Sequence, residues 1–454
     1  MFGSLSLDLL LHIFNFMDLG SIVALRKVVW SRNSKPRYLI DKWLSDLQTV
    51  LLCYVPTHYL DLERAVFAPT RWLDHVMRNN MKARGCCART ITPSENPYFQ
   101  GVYLVPGGRF LITFSEADLC VWDLGYSSST ILKNTPIASA SHIFNDIFAV
   151  VPTADGLGLR IFANTICETN GWTDEESIRD EFWIFEIFPL SEKPKLSKIA
   201  SLLVEDYSDV SLFVLRGDLL IYHGANYVKV WNFVTGTGVT FNVGDESYEQ
   251  LSATDEFVVL IQFAVVSVWN IPPLVPGGHI EEPGADHVKP DLELPVECDM
   301  DIDSLEGDEE LQFEMPSEWY THHPITYDVI HQSSESRTIW RYEVILPEGR
   351  VKLRHKFILP KEGSAAMIVE PYRFCDGTLV MSWSNCQSLM ASCTPRGPQE
   401  KDDFRKPEDV TLLCDEAGLE RVEFTLCPVA GRLCHISCTQ GSIVIFDYLA
   451  SPAS

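Results

Sequence analysis

Few side chains in this 454-residue chain stand at spacings that do chemistry. Cys434, His435 and Cys438 put three metal-ligating residue types close together, but on a run that reads as a core strand. Strand alternation sends such neighbours to opposite faces, so the three read as packing and not as a metal site. His322 and His323 are adjacent instead of sharing one helical face, and neither an HExxH nor a CxxC occurs. Cys86-Cys87 is a vicinal pair in a basic loop, read as incidental. Asp299, Asp301, Asp303, Glu306 and Asp308 have the density of a calcium loop, but the glycine and closing glutamate of an EF-hand are misplaced. Gly107-Gly108 and Gly277-Gly278 each follow a proline and read as turn glycines, since neither opens a helix behind a strand. No Ser/His/Asp set can be assembled. The expectation is a protein with no catalytic residue, no cofactor and no metal, and therefore not an enzyme. Its substrate-binding residues are not legible.

Charge and composition narrow the partners. The net charge is −26, and the stretch 272–318 alone carries 15 acidic residues against one lysine. The remainder is still acidic, which argues against nucleic acid and against an anionic membrane surface. Arg109, Arg160, Arg341 and Arg373 are available to converge on a phosphorylated partner, but in so acidic a chain a basic or unmodified partner fits better. Apolar residues at 46% and aromatics at 11% suffice for a packed interior. The 13 cysteines lack zinc-ligand pairing and fit a reducing compartment, where they act as small buried hydrophobes. No window reaches the ~18 consecutive apolar residues of a membrane span. The expected location is cytoplasmic or nuclear.

The elements come next. From about Thr90 the pattern is that of strands, and it repeats. An aromatic followed by Asp, Glu or Asn ends a short β-branched run at Trp122-Asp123, Phe185-Glu186, Trp231-Asn232, Trp269-Asn270, Tyr342-Glu343 and Phe446-Asp447. A degenerate unit near Phe374 to Ala391, with Asp376-Gly377 as its hairpin turn, completes the series. Units of this kind predict a β-propeller of about seven blades, six to eight being compatible with the spacings. A pair of β-sandwiches is the alternative. The last blade, ending at Val444 to Tyr448, is expected to be completed by an early strand near Gly101 to Val105. Residues 272–318 read as an acidic, disordered insertion, with a docking arm for a basic partner as the sharper alternative.

Before the strands lies helical sequence. Leu7, Leu10, Leu11 and Phe14 have the spacing of one helical face. Ser6 is placed to cap that helix, with Leu5 and Leu10 as its hydrophobic staple. Asp18 caps a second helix, stapled by Met17 and Ile22 and continued by Leu25 and Val29. Such a hairpin carries more apolar side chains than it can bury in itself. Residues 51–89 continue as amphipathic helical sequence, punctuated by Pro56 and Pro69.

The stretch Leu5 to Val29 resembles an F-box, the module that docks substrate receptors onto the adaptor of SCF-type ubiquitin ligases. The match rests on Leu5, Asp8-Leu9-Leu10, Ile13-Phe14, Phe16-Met17-Asp18-Leu19 and Leu25-Arg26-Lys27-Val28. Ser6 stands where the family has proline and Val29 where it has cysteine; serine and proline both suit a helix start. Leu62 to Ala65 followed by Arg71-Trp72-Leu73 is similar to the linker of basidiomycete fungal F-box proteins. Pro106 to Thr113 leading to Trp122-Asp123-Leu124 looks like a WD-repeat blade.

Together these imply a mainly β chain with an N-terminal α region: F-box over 1–50, helical linker over 51–89, WD-repeat-like propeller over 90–450. The resemblance implies a substrate-recognition subunit of an SCF-type ligase. Leu5, Leu9, Leu10, Ile13, Phe14, Phe16, Leu19, Ile22, Leu25 and Val28 would bind the adaptor, and through it the cullin scaffold. The alternative is a propeller scaffold whose F-box-like hairpin packs internally.

Overall fold

The computed structural model describes residue 68 and residues 71–73, 87–93, 99–126, 128–168, 178–204, 212–224, 226–244, 248–278 and 287–296. Further along it describes 310–315, 325–332, 336–360, 368–369, 373–375, 378–384, 388–395, 410–415, 423–437 and 441–449. All ten residues expected to bind an adaptor lie outside these. So do His322, His323, Cys438, the calcium-like acidic residues and the Asp376-Gly377 turn. Of the linker, Ala68 and residues 71–73 are helical. Among the described residues no helix is long and apolar enough to cross a membrane.

Thirty strands follow in chain order, and they form seven antiparallel sheets among the described residues. A lone strand, β1 (Cys87–Ile91), comes first. The first blade is β2 (Phe99–Leu104), β3 (Phe110–Ser115), β4 (Asp118–Asp123) and β5 (Ala138–Ser141). The second is β6 (Phe144–Pro152), β7 (Leu159–Glu168), β8 (Ile178–Ile187) and β9 (Ser197–Val204). The third is β10 (Leu212–Arg216), β11 (Leu219–His223), β12 (Tyr227–Asn232) and β13 (Thr237–Asn242). The fourth begins with β14 (Gln250–Ala253), β15 (Phe257–Ile261) and β16 (Val265–Asn270).

The acidic tract departs from expectation here. Within 272–318, β17 (Val275–Pro276) adds a fifth strand to the third blade and β18 (Leu292–Pro295) is the fourth strand of the fourth. Then β19 (Glu310–Glu314) opens the fifth blade. Described parts of the tract belong to the sheets: Leu292 and Leu294 alternate with acidic neighbours, and Leu294 is buried. Its apolar positions, though sparse, have the period of a strand, and composition alone hid that.

The fifth blade continues with β20 (Ile325–Gln332), β21 (Ser336–Ile345) and β22 (Arg350–Pro360). The sixth has β23 (Ile368–Val369) and β24 (Arg373–Cys375), both paired to β25 (Thr378–Ser384), then β26 (Ser388–Pro395) and β27 (Val410–Asp415). The seventh holds β28 (Phe424–Cys427), β29 (Arg432–Ser437) and β30 (Ser442–Asp447). Its fourth strand is β1, paired antiparallel to β30 with Ala88 opposite Phe446. The early strand that completes the last blade is thus 87–91, which begins within the span read as linker, and not 101–105, most of which is β2 of the first blade. Cys87 lies on this strand instead of in a loop.

Neighbouring sheets pack in chain order. Strand β2 lies against β28 and β29, β3 against β6, β6 against β10, β10 against β14, β18 against β22, and β24 against the 3-10 turn Pro428–Ala430. First strands meet first strands at the seventh-to-first, second-to-third and third-to-fourth joints, the arrangement of inner strands in a β-propeller.

The repeated aromatic-acid pair has a physical role in every blade that carries it. Trp122, Phe185, Trp231, Trp269, Tyr342 and Phe446 all lie on the third strand of their sheets and all are buried. Five of them face an aliphatic residue of the second strand: Leu111, Ile161, Leu220, Val258 and Leu433. Tyr342 faces Tyr327. Each such ring removes on the order of 150–250 Å² from water, an upper estimate of roughly 4–6 kcal/mol at 25 cal/mol/Å².

In three of these blades the residue after the ring binds an arginine at the head of the second strand. Asp123 takes Arg109 in a two-bonded fork at 3.0 and 2.8 Å, Glu186 takes Arg160 at 3.3 Å, and Asp447 takes Arg432 at 2.5 Å. These arginines start the second strand or stand just before it, and some reach across the gap between blades. Arg160 also donates to the Gly217 carbonyl at 2.6 Å and to Asp218 of the third blade. Arg216 of the third blade reaches Asp255 and the Ala253 carbonyl of the fourth. Arg432 of the seventh reaches the Gly108 and Gly125 carbonyls of the first. In the fifth blade Arg341 forks onto Asp328 at 2.8 and 2.6 Å.

At the closure the network is densest. Asp447 receives Arg432 on one oxygen and Arg89 of β1 on the other, at 2.9 and 2.7 Å. Arg89 also donates to the Leu124 and Thr130 carbonyls of the first blade. Burial, together with the Arg432 charge, pushes the Arg89 guanidinium below its ordinary value, against the pull of Asp447. The blades touch closely here. Gly108 has φ +72, and a Cβ on it would stand 2.5 Å from the Ala430 Cβ of the last blade.

Asp447 is 7% exposed and Arg432 3%, whereas Arg109 and Asp123 are 16% and 29% exposed. Removing one member of a buried pair leaves an uncompensated charge, so Asp447→Ala is expected to cost about 3–5 kcal/mol. Asp123→Ala is expected to cost about 1 kcal/mol, being nearer the surface case. Denaturant unfolding of the two variants measures both. Equal losses would contradict the special weight given to the closure.

Candidate binding site

The four cations considered for phosphate are not gathered. Arg109, Arg160 and Arg341 are each held by carboxylates in three different blades. Arg373 lies on β24, in a fourth. Cys434 and His435 are both buried on β29, burial raises the Cys434 thiol, and His435 stacks on Phe446. Cys427 accepts the Gly107 N–H at 3.2 Å. Cys120 is pushed up to about 12 by burial and by Asp118, so it is no nucleophile at neutral pH.

A cavity of about 460 Å³ lies where the inner strands of the seventh, first and second blades meet. Gln100, Gly101, Val102 and Tyr103 of β2, Phe114 of β3, Asp146 and Ile147 of β6, and Glu423 just before β28 line it. Both inner strands are irregular at this place. On β2 the register runs Phe99 to Ser115 and then Gly101 to Phe114, leaving Gln100 as the extra residue of a bulge. On β6 it skips Asn145 and Phe148, bracketing Asp146 and Ile147 with two more. Bulges re-aim side chains and are frequent beside binding sites. Here three converge on one cavity.

Gly101 has a steric reason. A Cβ there would run into the Phe114 ring, which lies against the bare backbone and forms part of the wall. The Gln100 side-chain oxygen is buried and has no hydrogen-bond partner. Asp146 and Glu423 are both exposed to the open space. The surrounding walls raise the Asp146 carboxyl above its usual range, offset by the Ile147 N–H donated to it at 2.7 Å. Glu423 is raised by the same loss of water and then by the Asp146 charge.

None of these residues stood out in the sequence. The available signals were a glycine inside an apolar strand and two polar residues in succession, Asn145-Asp146, inside another; both mark a broken strand pattern. Neither says that the two breaks meet.

No family model matches the chain, and no curated protein matches it. Among solved structures, the β-propeller domain of Cps50 (Swd1) from Myceliophteria thermophila aligns at 11% identity over 80% of this chain and 99% of that one, with a TM-score of 0.43. The β-propeller domain of Nup133 from Vanderwaltozyma polyspora aligns at 9% over 80% and 97%, with a TM-score of 0.47. The N-terminal domain of Nup159 aligns at 10% over 80% and 95%, with a TM-score of 0.40. The ring itself rests on the seven sheets and the β1–β30 pairing.

A carboxyl with a raised pKa favours the folded chain when protonated and opposes it when ionised. Asp146→Asn and Glu423→Gln are therefore each expected to raise the melting temperature at pH 7. The gain should shrink as pH falls through the raised values and vanish below the ordinary carboxylate range, roughly pH 4. Thermal scans across that range check the sign; a lowered melting temperature at pH 7 would contradict it.

Proposed function

We propose that this protein is a non-catalytic receptor: a propeller that holds a protein client while the N-terminal F-box-like hairpin docks an SCF adaptor. The observation that carries this reading is the seat of the N-terminal tract on the ring. Trp72, in the helical residues 71–73, is fully buried, with its ring 5.4 Å from that of Tyr448 at the end of the last blade. Tyr448 follows β30, the strand that β1 closes. Trp72, in the tract that precedes the ring, is thereby tied to the ring's most constrained part. A fixed tie matters to a ligase receptor, whose work is to keep client lysines near a charged conjugating enzyme and so raise their effective concentration. The arginines spent within the blades and the high thiol pKa values support a role without chemistry of its own.

The test uses the full chain, purified adaptor and a pull-down. Leu10→Asp with Phe14→Asp is expected to abolish adaptor capture while leaving the thermal transition of the ring unchanged. Failure of the native chain to capture adaptor would overturn the reading. So would unfolding of the ring in the variant, which would mean that the hairpin packs internally and the chain is a scaffold.

A further inference from the structure

We infer that the cavity between the seventh, first and second blades receives a cationic side chain, lysine or arginine, from a protein partner. The inference rests on the propeller acting as a receptor for the origin of its ligand, and on the cavity alone for its chemistry.

Three features converge. Asp146 and Glu423, from different blades, face one open space and repel each other; a cation between them relieves that repulsion. The Gln100 oxygen, buried and unpartnered in the wall, adds negative potential beside the carboxylates. An ammonium or guanidinium is donor-only and suits both carboxylates at once. Tyr103 and Phe114 supply aromatic wall beside the carboxylates, which favours a cation with an aliphatic stem over a bare ion. At about 460 Å³ the space exceeds what one such side chain fills, leaving room for flanking backbone.

A divalent metal fits less well. Calcium needs 6–8 oxygen ligands, and among the described residues no group of three or more His, Cys, Asp or Glu is gathered to hold a metal ion. Bulges in β2 and β6 aim Gln100 and Asp146 at the space, at the cost of regular pairing in both strands. The net charge of −26 attracts basic partners from a distance, and the cavity gives that attraction an end point.

The experiment is fluorescence anisotropy on the full chain with a set of labelled nine-residue peptides of random flanks and a central arginine or lysine. The same peptides with central citrulline or glutamine serve as neutral partners. Binding of charged members is expected, with loss of about tenfold or more for the neutral partners and a similar loss in Asp146→Asn/Glu423→Gln. The double variant Glu192→Gln/Glu293→Gln removes the same charge from exposed positions elsewhere. It is expected to weaken binding less than threefold, an estimate of about the size of long-range screening alone.

Equal losses in the two double variants would reduce the effect to general electrostatics and overturn the site. Absence of binding to every charged peptide at millimolar concentration would also overturn it, as would calcium ions alone binding in preference to the peptides. Because melting temperature is expected to rise in Asp146→Asn/Glu423→Gln, loss of binding in that variant cannot be ascribed to unfolding. Peptide binding without adaptor capture would leave this site standing and remove the ligase reading. Adaptor capture without peptide binding would do the reverse.

Discussion

The ring depends on one short strand paired across almost the whole chain. Strand β1 closes the last blade, and its Arg89 meets Asp447 at a sequence separation of 358 residues. Closing a flexible chain over that distance costs about 5 kcal/mol by loop-closure scaling. The backbone bonds of a five-residue strand return a similar sum at about 1 kcal/mol each, which leaves no margin. Asp447 supplies the margin by taking two arginines, both of which also bind carbonyls of the first blade. Closure and the joint between first and last blades are thus one network. Trp72 seats the N-terminal tract on Tyr448, one residue beyond it.

The same pairing logic, diluted, runs around the ring. In the first, second and seventh blades an acid placed after the buried ring of the third strand holds an arginine at the head of the second. Arg160 reaches on to the next blade, so its pair is also a fastener between sheets, and Arg216, at the end of a first strand, fastens its blade to Asp255 of the next. This use of arginine has a functional consequence. Cations held between blades are not offered to a phosphorylated partner, whereas the carboxylates of the described cavity face open space with no cation among the described residues beside them. What the described surface offers a partner at this place is negative charge in an aromatic setting.

Much of this was legible in the residues and some of it was not. The recurring aromatic-acid dipeptide located the third strand of six blades because burial of the ring and pairing of the acid both depend on local position. The degenerate sixth blade, ending its third strand in Thr394-Pro395, was found only by its hairpin. Partner strands were harder. Cys87–Ile91 reads no differently from other short polar-apolar runs, and nothing local says that it pairs with Ser442–Asp447. The acidic tract misled because charge dominates its composition, while strand formation needed only Leu292 and Leu294 in alternation and a free edge on β16. The cavity was invisible for a related reason: bulges are properties of paired strands, and its walls come from three blades.

The claim most exposed to test is that closure by β1 holds all seven blades together. Hydrogen exchange on a chain that begins at Thr92, compared with the intact chain, measures this blade by blade. The account requires amide protection to fall throughout the ring and to be restored by a synthetic peptide carrying residues 87–91. Protection lost only in β28 to β30, with the other blades as well protected as before, would contradict it.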